Sequence, residues 1–150
     1  MPIKMLFKNA MKNKTDNDIT DFTVYPLEGF WKKVNGEELD KNKLEYTLMI
    51  KQPDFITQEI FTNALENVKK KKHNVLYDEI SFREIEEGKS IHILHVGSYD
   101  DEPKSFELMN EFARKLDLTR IGDFHKEIYL SNKNRTLKEK QKTILRYSVK

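Results

Sequence analysis

The chain has 150 residues, 27 Lys and Arg against 25 Asp and Glu, 37% hydrophobic and 11% aromatic residues, and no Cys. That length suits one domain, residues 1–150, around one core. The absence of Cys excludes disulfides, thiolate catalysis and Cys-ligated zinc, and it fits a reducing cytoplasm.

The elements follow in chain order. Ile3, Leu6, Phe7, Ala10 and Met11 share one helical face, which residues 13–21 break. With Lys4 and Lys8 and no long apolar run, this opening reads neither as a signal peptide nor as a membrane span. No later segment approaches the roughly 18 apolar residues of a span. Residues 22–34 read as a strand, with a bulge or an edge suggested by Pro26 and Gly29. Asn35-Gly36 signals a turn, and a second strand runs over 44–51.

A helix follows over 58–72, with Thr57 as N-cap and Ile60, Phe61, Ala64, Leu65 and Val68 on its apolar face. Its last turn holds Lys69 to Lys72, cations that complement the macrodipole. Two strands, 80–85 and 90–96, are joined by the turn Glu86-Glu87-Gly88. Pro103 opens a second helix that buries Phe106, Met109, Phe112, Ala113 and Leu116. Strands over 125–130 and 143–149 end the pattern, and Thr136 and Glu139 have capping-box spacing between them. The order is a run of α-β-β units, hence an α+β fold with helices on one face of a largely antiparallel sheet.

Charge is uninformative about partners. Residues 1–75 hold 13 basic and 11 acidic side chains and residues 76–150 hold 14 of each, interspersed as on a solvated surface. The last 25 residues hold eight basic and two acidic side chains, without a recognised nucleic-acid module or interleaved aromatics. A soluble cytoplasmic domain without direct nucleic-acid or membrane contact is expected.

Several segments carry a resemblance. They are Tyr25-Pro26-Leu27-Glu28-Gly29-Phe30-Trp31, Ile50-Lys51-Gln52-Pro53-Asp54-Phe55, His95-Val96-Gly97-Ser98-Tyr99-Asp100-Asp101-Glu102-Pro103 and His125-Lys126-Glu127-Ile128-Tyr129-Leu130-Ser131. Together with Lys142-Thr143-Ile144-Leu145-Arg146, they resemble the GyrI-like small-molecule-binding family in the family's order. The resemblance implies two pseudo-twofold β-α-β-β repeats with a ligand cleft between them. Members of this branch begin with a strand and most of a helix that have no counterpart here, so the first repeat is incomplete. Tyr46 stands where relatives tend to carry Trp. A bare sheet edge beside residues 22–34 would invite pairing across a twofold axis, so a homodimer is expected.

Glu127 is the sharpest site candidate. It alternates with His125 and Tyr129 on one strand face, and Lys126, Ile128 and Leu130 take the other. Ile128 and Leu130 are expected to pack under the helices, which turns Glu127 toward the concave side. A carboxylate among aromatics there could attract a cationic ligand or act as general acid or base. The resemblance implies that this Glu is the buried acid of the cleft. Left unpaired it would carry a desolvation penalty, so Glu127→Gln is expected to leave the protein no less stable.

Trp31 can stack on a planar ligand or pack in the core. Tyr99 follows Gly97 at a strand end, where a loop residue can line a cleft mouth, and Tyr129, on the Glu127 face, is a further ligand-binding candidate. Tyr46 shares a strand face with Leu48 and Ile50, which favours core. Glu28 is a candidate counterpart of Glu127 across the pseudo-twofold. His95, beside Ile91 and Ile93, reads as a satisfied core histidine that could also border a ligand. The histidines His73, His92, His95 and His125 show no metal-ligand spacing, so neither metal nor cofactor is expected.

The expected activity is binding of a planar, apolar small molecule that can carry positive charge. For its use the resemblance implies drug or toxin sensing, hydrolysis of cyclopropane-bearing DNA-alkylating toxins through Glu127, or modulation of a protein partner.

Overall fold

A computed structural model describes residues 23–33 and 44–150. The predicted helix over 3–11 and the Asn35-Gly36 turn lie outside the described residues. The elements are β1 (Leu27–Lys33), β2 (Leu44–Ile50), α1 (Gln58–Lys71), β3 (Ser90–Val96), α2 (Glu102–Lys115), β4 (Phe124–Tyr129) and β5 (Lys142–Ser148). No helix among the described residues is long and apolar enough to cross a membrane. Two compact units form, one with Lys51–Ile85 and the other with Pro26–Ile50 and Glu86–Lys150.

In the first unit, the Thr57 hydroxyl accepts a hydrogen bond from the Ile60 amide at 3.3 Å and starts α1. Glu59 in the first turn and Lys69, Lys70 and Lys71 in the last complement the helix dipole. The buried stripe is Phe61, Ala64 and Val68, and Ala64 and Val68 pack with Ile56 and Tyr77. The strand predicted over 80–85 does not form. A 3-10 helix, Val75–Glu79, precedes an irregular stretch whose alternating Ile80 and Phe82 pack against the helical core. Phe82 stacks on Phe61 with ring centroids 5.4 Å apart. A period of two arises here from side-chain packing and not from strand pairing.

In the second unit the sheet order is β2-β1-β4-β5-β3, with every neighbouring pair antiparallel. β3, α2, β4 and β5 make one complete β-α-β-β repeat, and the β1–β2 hairpin supplies two strands of another. β1 starts at Leu27, just past Pro26, which cannot donate to a ladder. Its register runs unbroken through Gly29 on both sides, so neither the bulge nor the edge expected there exists. Because β1 pairs with both β2 and β4, the edge strands among the described residues are β2 and β3.

One face of the sheet presents Trp31, His125, Glu127, Tyr129, Thr143, Leu145, Tyr147, Ile91, Ile93 and His95. α2 covers part of that face, and Phe106, Met109 and Ala113 pack with Ile91, Leu145, Tyr147 and Val149. Burying a side chain such as Phe106 or Leu145 stabilises by roughly 1.5–3 kcal/mol. Phe112 and Leu116, expected in this core, are instead about half exposed, at 53% and 52%. They lie with Leu108 at i, i+4 and i+8, one stripe away from the face that meets the sheet. The capping box at Thr136 does not form either, since the 3-10 turn Lys138–Lys140 starts after Leu137 without a side-chain cap.

Candidate functional site

β4 sets the centre of the site. Glu127 is 1% exposed, and alternation places it with His125 and Tyr129 on the face that α2 covers. The sequence expectation had put Ile128 under the helices and Glu127 opposite; the two faces are exchanged. The α2 core draws its strand residues from the Leu145 and Tyr147 rows, and Glu127 is the direct neighbour of Leu145. Leu130 lies beyond the strand end and is exposed.

Both oxygens of Glu127 accept hydrogen bonds. His125 Nε2 donates to Oε1 at 3.1 Å, and the Tyr129 hydroxyl donates to Oε2 at 2.7 Å. The same hydroxyl accepts from Trp31 Nε1 at 3.1 Å, so Trp31, Tyr129 and Glu127 form a directed chain across β1 and β4. Burial and then the Glu127 charge push the Tyr129 phenol far above its ordinary range. Phe106 of α2 meets the His125 ring edge-on, with centroids 4.9 Å apart and planes at 76°.

Gly29 makes the chain possible. It sits opposite Glu127 in the ladder, and a Cβ there would lie 2.7 Å from the Tyr129 hydroxyl and 2.8 Å from Trp31 Nε1. The hydrogen bond passes through the space that any other side chain would fill.

Aromatic rings border the carboxylate. Trp31 packs on Tyr46, its partner on β2, with centroids 5.1 Å apart. Tyr99 meets Tyr129 edge-on at 6.4 Å and 85°. Burial, then the charges of Glu127 and Glu102, raise the Tyr99 hydroxyl above its ordinary value. Tyr46 is 60% exposed and so not the core residue that its alternation suggested.

The structure brings Glu127, Tyr129, Trp31, Tyr46 and Tyr99 onto one face and leaves Glu28 out. Glu28 points to the opposite face, where its carboxylate meets Lys126 Nζ at 2.7 Å. Strand parity therefore rules out the pairing of Glu28 with Glu127 across the pseudo-twofold. Lys126 also meets Glu87, whose second oxygen accepts from Arg146 Nη1 at 2.8 Å. Burial alone would raise the Glu87 carboxyl, but the Lys126 hydrogen bond and charge, with Arg146, hold it below its ordinary value. Glu87, expected in a hairpin turn, is thus a bridge between β4 and β5.

His95 is 4% exposed and fully engaged: Nδ1 lies 2.7 Å from the Ser105 hydroxyl, and Nε2 lies 2.7 Å from the Ser98 carbonyl. Sequence reasoning grouped His125 with Glu127 on one strand face without assigning it a role, although a His two residues from a buried Glu is a readable signal. It missed Gly29, whose signal is a glycine inside a strand. It also missed Glu102, a buried carboxylate in the first turn of α2 that no local pattern marks. Among the described residues no group of three His, Cys, Asp or Glu is arranged to hold a metal ion.

Residues 2–148 match the family described as the GyrI-like small molecule binding domain. A crystal structure of an uncharacterized conserved protein from Listeria innocua is 34% identical, with a TM-score of 0.89 over 97% of this chain and 74% of that one. Two further crystal structures, each described as a hydrolase from Listeria innocua, are 32% identical with TM-scores of 0.85 and 0.86. They align with 97% of this chain and with 73% and 74% of their own. No curated protein matches the chain.

Proposed function

This chain belongs to the GyrI-like small-molecule-binding family, and on that premise we propose that its ligand is a planar, apolar cation held against Trp31, Tyr46, Tyr99 and Tyr129. The single observation that carries the reading is a carboxylate, Glu127, only 1% exposed behind aromatic rings. A buried negative charge makes the rings in front of it more attractive to a cation, and their faces supply apolar contact. Glu127 gives charge complementarity, Tyr129 and His125 fix its orientation, and Trp31 and Tyr46 offer a stacking wall. Such binding would serve the sensing or sequestration of drugs and toxins in the cytoplasm.

The test is Glu127→Gln in the full chain, titrated with rhodamine 6G and followed by quenching of Trp31, the single Trp. Loss of the charge should cost on the order of 2–4 kcal/mol, roughly 30- to 1,000-fold in affinity. The donors change the stability expectation as well. A carboxamide keeps only one acceptor oxygen, so of the two donors now aimed at Glu127 one must reverse its role or lose its partner, and Glu127→Gln is expected to lower stability by about 1–3 kcal/mol. Equal dye affinity in the two folded proteins would remove Glu127 from the site.

A second reading is favoured by the likeness to the Listeria innocua structures described as hydrolases. Here Glu127 would position or activate water against a cyclopropane-bearing DNA-alkylating toxin gripped by the same rings. Mass spectrometry separates the two: a hydrolase gives a product one water heavier that Glu127→Gln fails to form, and a binding domain returns its ligand unchanged.

A further inference from the structure

We infer that His95 is the positioning residue for Tyr99, its ring tying the backbone just before Tyr99 to the Ser105 hydroxyl of α2. A carbonyl only accepts, so the 2.7 Å contact to Ser98 requires the hydrogen on Nε2. In the neutral ring Nδ1 is then the acceptor for the Ser105 hydroxyl at 2.7 Å. The chain must double back for Ser98 to reach a ring three residues earlier. Gly97 allows it with φ of +128°, a conformation that disfavours a Cβ. The Gly97 amide donates to the Gln141 carbonyl at 2.9 Å, which fastens the bend to the strand end beside it. The Ser98 hydroxyl accepts from the Asp100 amide at 3.2 Å and starts the 3-10 turn that carries Tyr99.

Thr143, the cross-strand partner of His95, faces the Tyr99 hydroxyl from β5. His95 and Thr143, side by side on β3 and β5, thus stand at the two ends of one residue, its backbone and its ring tip. That ring stands edge-on to Tyr129, which holds Glu127. His95 itself is 4% exposed and acts through Tyr99. A wall ring that is already immobile loses little freedom on binding, so His95 contributes to affinity by preorganisation.

This inference rests on the proposed binding reading for its affinity effect but not for its structural one, and the experiment separates them. Hydrogen exchange of the amides over residues 97–101 is measured in the full chain, in His95→Phe and in Ser105→Ala, without ligand. Both variants should exchange these amides faster, His95→Phe by at least about tenfold, while amides of the β1–β4 ladder stay protected. Ser105→Ala removes one hydroxyl from α2 and keeps the test decisive if His95→Phe fails to fold. Rhodamine 6G affinity should fall about three- to tenfold in His95→Phe. In a Tyr99→Ala background the same substitution should cause no further loss, which a merely structural histidine would not reproduce. Unchanged exchange in the folded variants, or losses that add in the double variant, would overturn the role of His95. A wild-type protein that ignores the dye would overturn the binding reading and leave the exchange data to decide on His95.

Discussion

Replacing Gly29 by Ala sets two opposed effects against each other. Glycine inside a strand is conformationally costly, so Ala would by itself stabilise by about 0.5–1 kcal/mol. The new Cβ, however, would lie 2.7 Å from the Tyr129 hydroxyl and 2.8 Å from Trp31 Nε1, distances that real Cβ contacts do not tolerate. The rings cannot yield cheaply. The Tyr129 hydroxyl is tied to Glu127 at 2.7 Å, and Trp31 is packed on Tyr46. Separating Trp31 from Tyr129 leaves buried polar groups short of partners, about 1–3 kcal/mol, and overpacking adds about 1–3 kcal/mol. The clash wins, with a net loss of about 1–5.5 kcal/mol. For a chain of 150 residues this lowers Tm by roughly 2–22 °C. Because Trp31 is the only Trp, its emission reports directly on the indole N–H that loses its acceptor. A Gly29→Ala protein with equal or higher Tm and unchanged Trp31 emission would refute the close-approach argument.

The Tyr129 phenol is raised by burial and by Glu127, so its contribution to stability is complete below pH 10 and is lost as pH rises further. Thermal melts between pH 9 and 11.5 should show that alkaline loss in the wild type and a shallower one in Tyr129→Phe. Glu87 is lowered by Lys126 and Arg146 despite its burial, so its contribution is complete above its ordinary value of 4.5 and fades as pH falls below it. Glu87→Gln should flatten the acid limb of a stability–pH curve, and an identical limb would show that the bridge is idle. Among the described residues β2 and β3 are the outermost strands of the sheet, and a dimer of the 17.9 kDa chain is the outcome expected at high micromolar concentration. Sedimentation equilibrium showing only the 17.9 kDa species would exclude it.

Much of the fold follows from local sequence. Thr57 and the spacing of Phe61, Ala64 and Val68 define α1, since capping and a 3.6-residue period act within one segment. Pro103 and the stripe Phe106, Met109 and Ala113 define α2 in the same way, and alternation puts His125, Glu127 and Tyr129 on one face of β4. Period-two alternation sorts side chains into two sets but does not say which set meets a helix. That choice belongs to the neighbouring strands and to α2, which is why Glu127 and Ile128 exchange faces relative to the sequence expectation. The same dependence gives Ile80 and Phe82 a strand-like pattern without a strand and leaves Phe112 and Leu116 outside the core. Residues 98 positions apart, Trp31 and Tyr129, meet through one hydrogen bond over Gly29, and Lys126 finds Glu28 and Glu87 on the far side of the sheet. The sequence alone determined which residues could be acids, donors and aromatic walls. Only the strand register decided which of them meet, because hydrogen bonds and ion pairs act over a few ångströms and chain distance carries no information at that range.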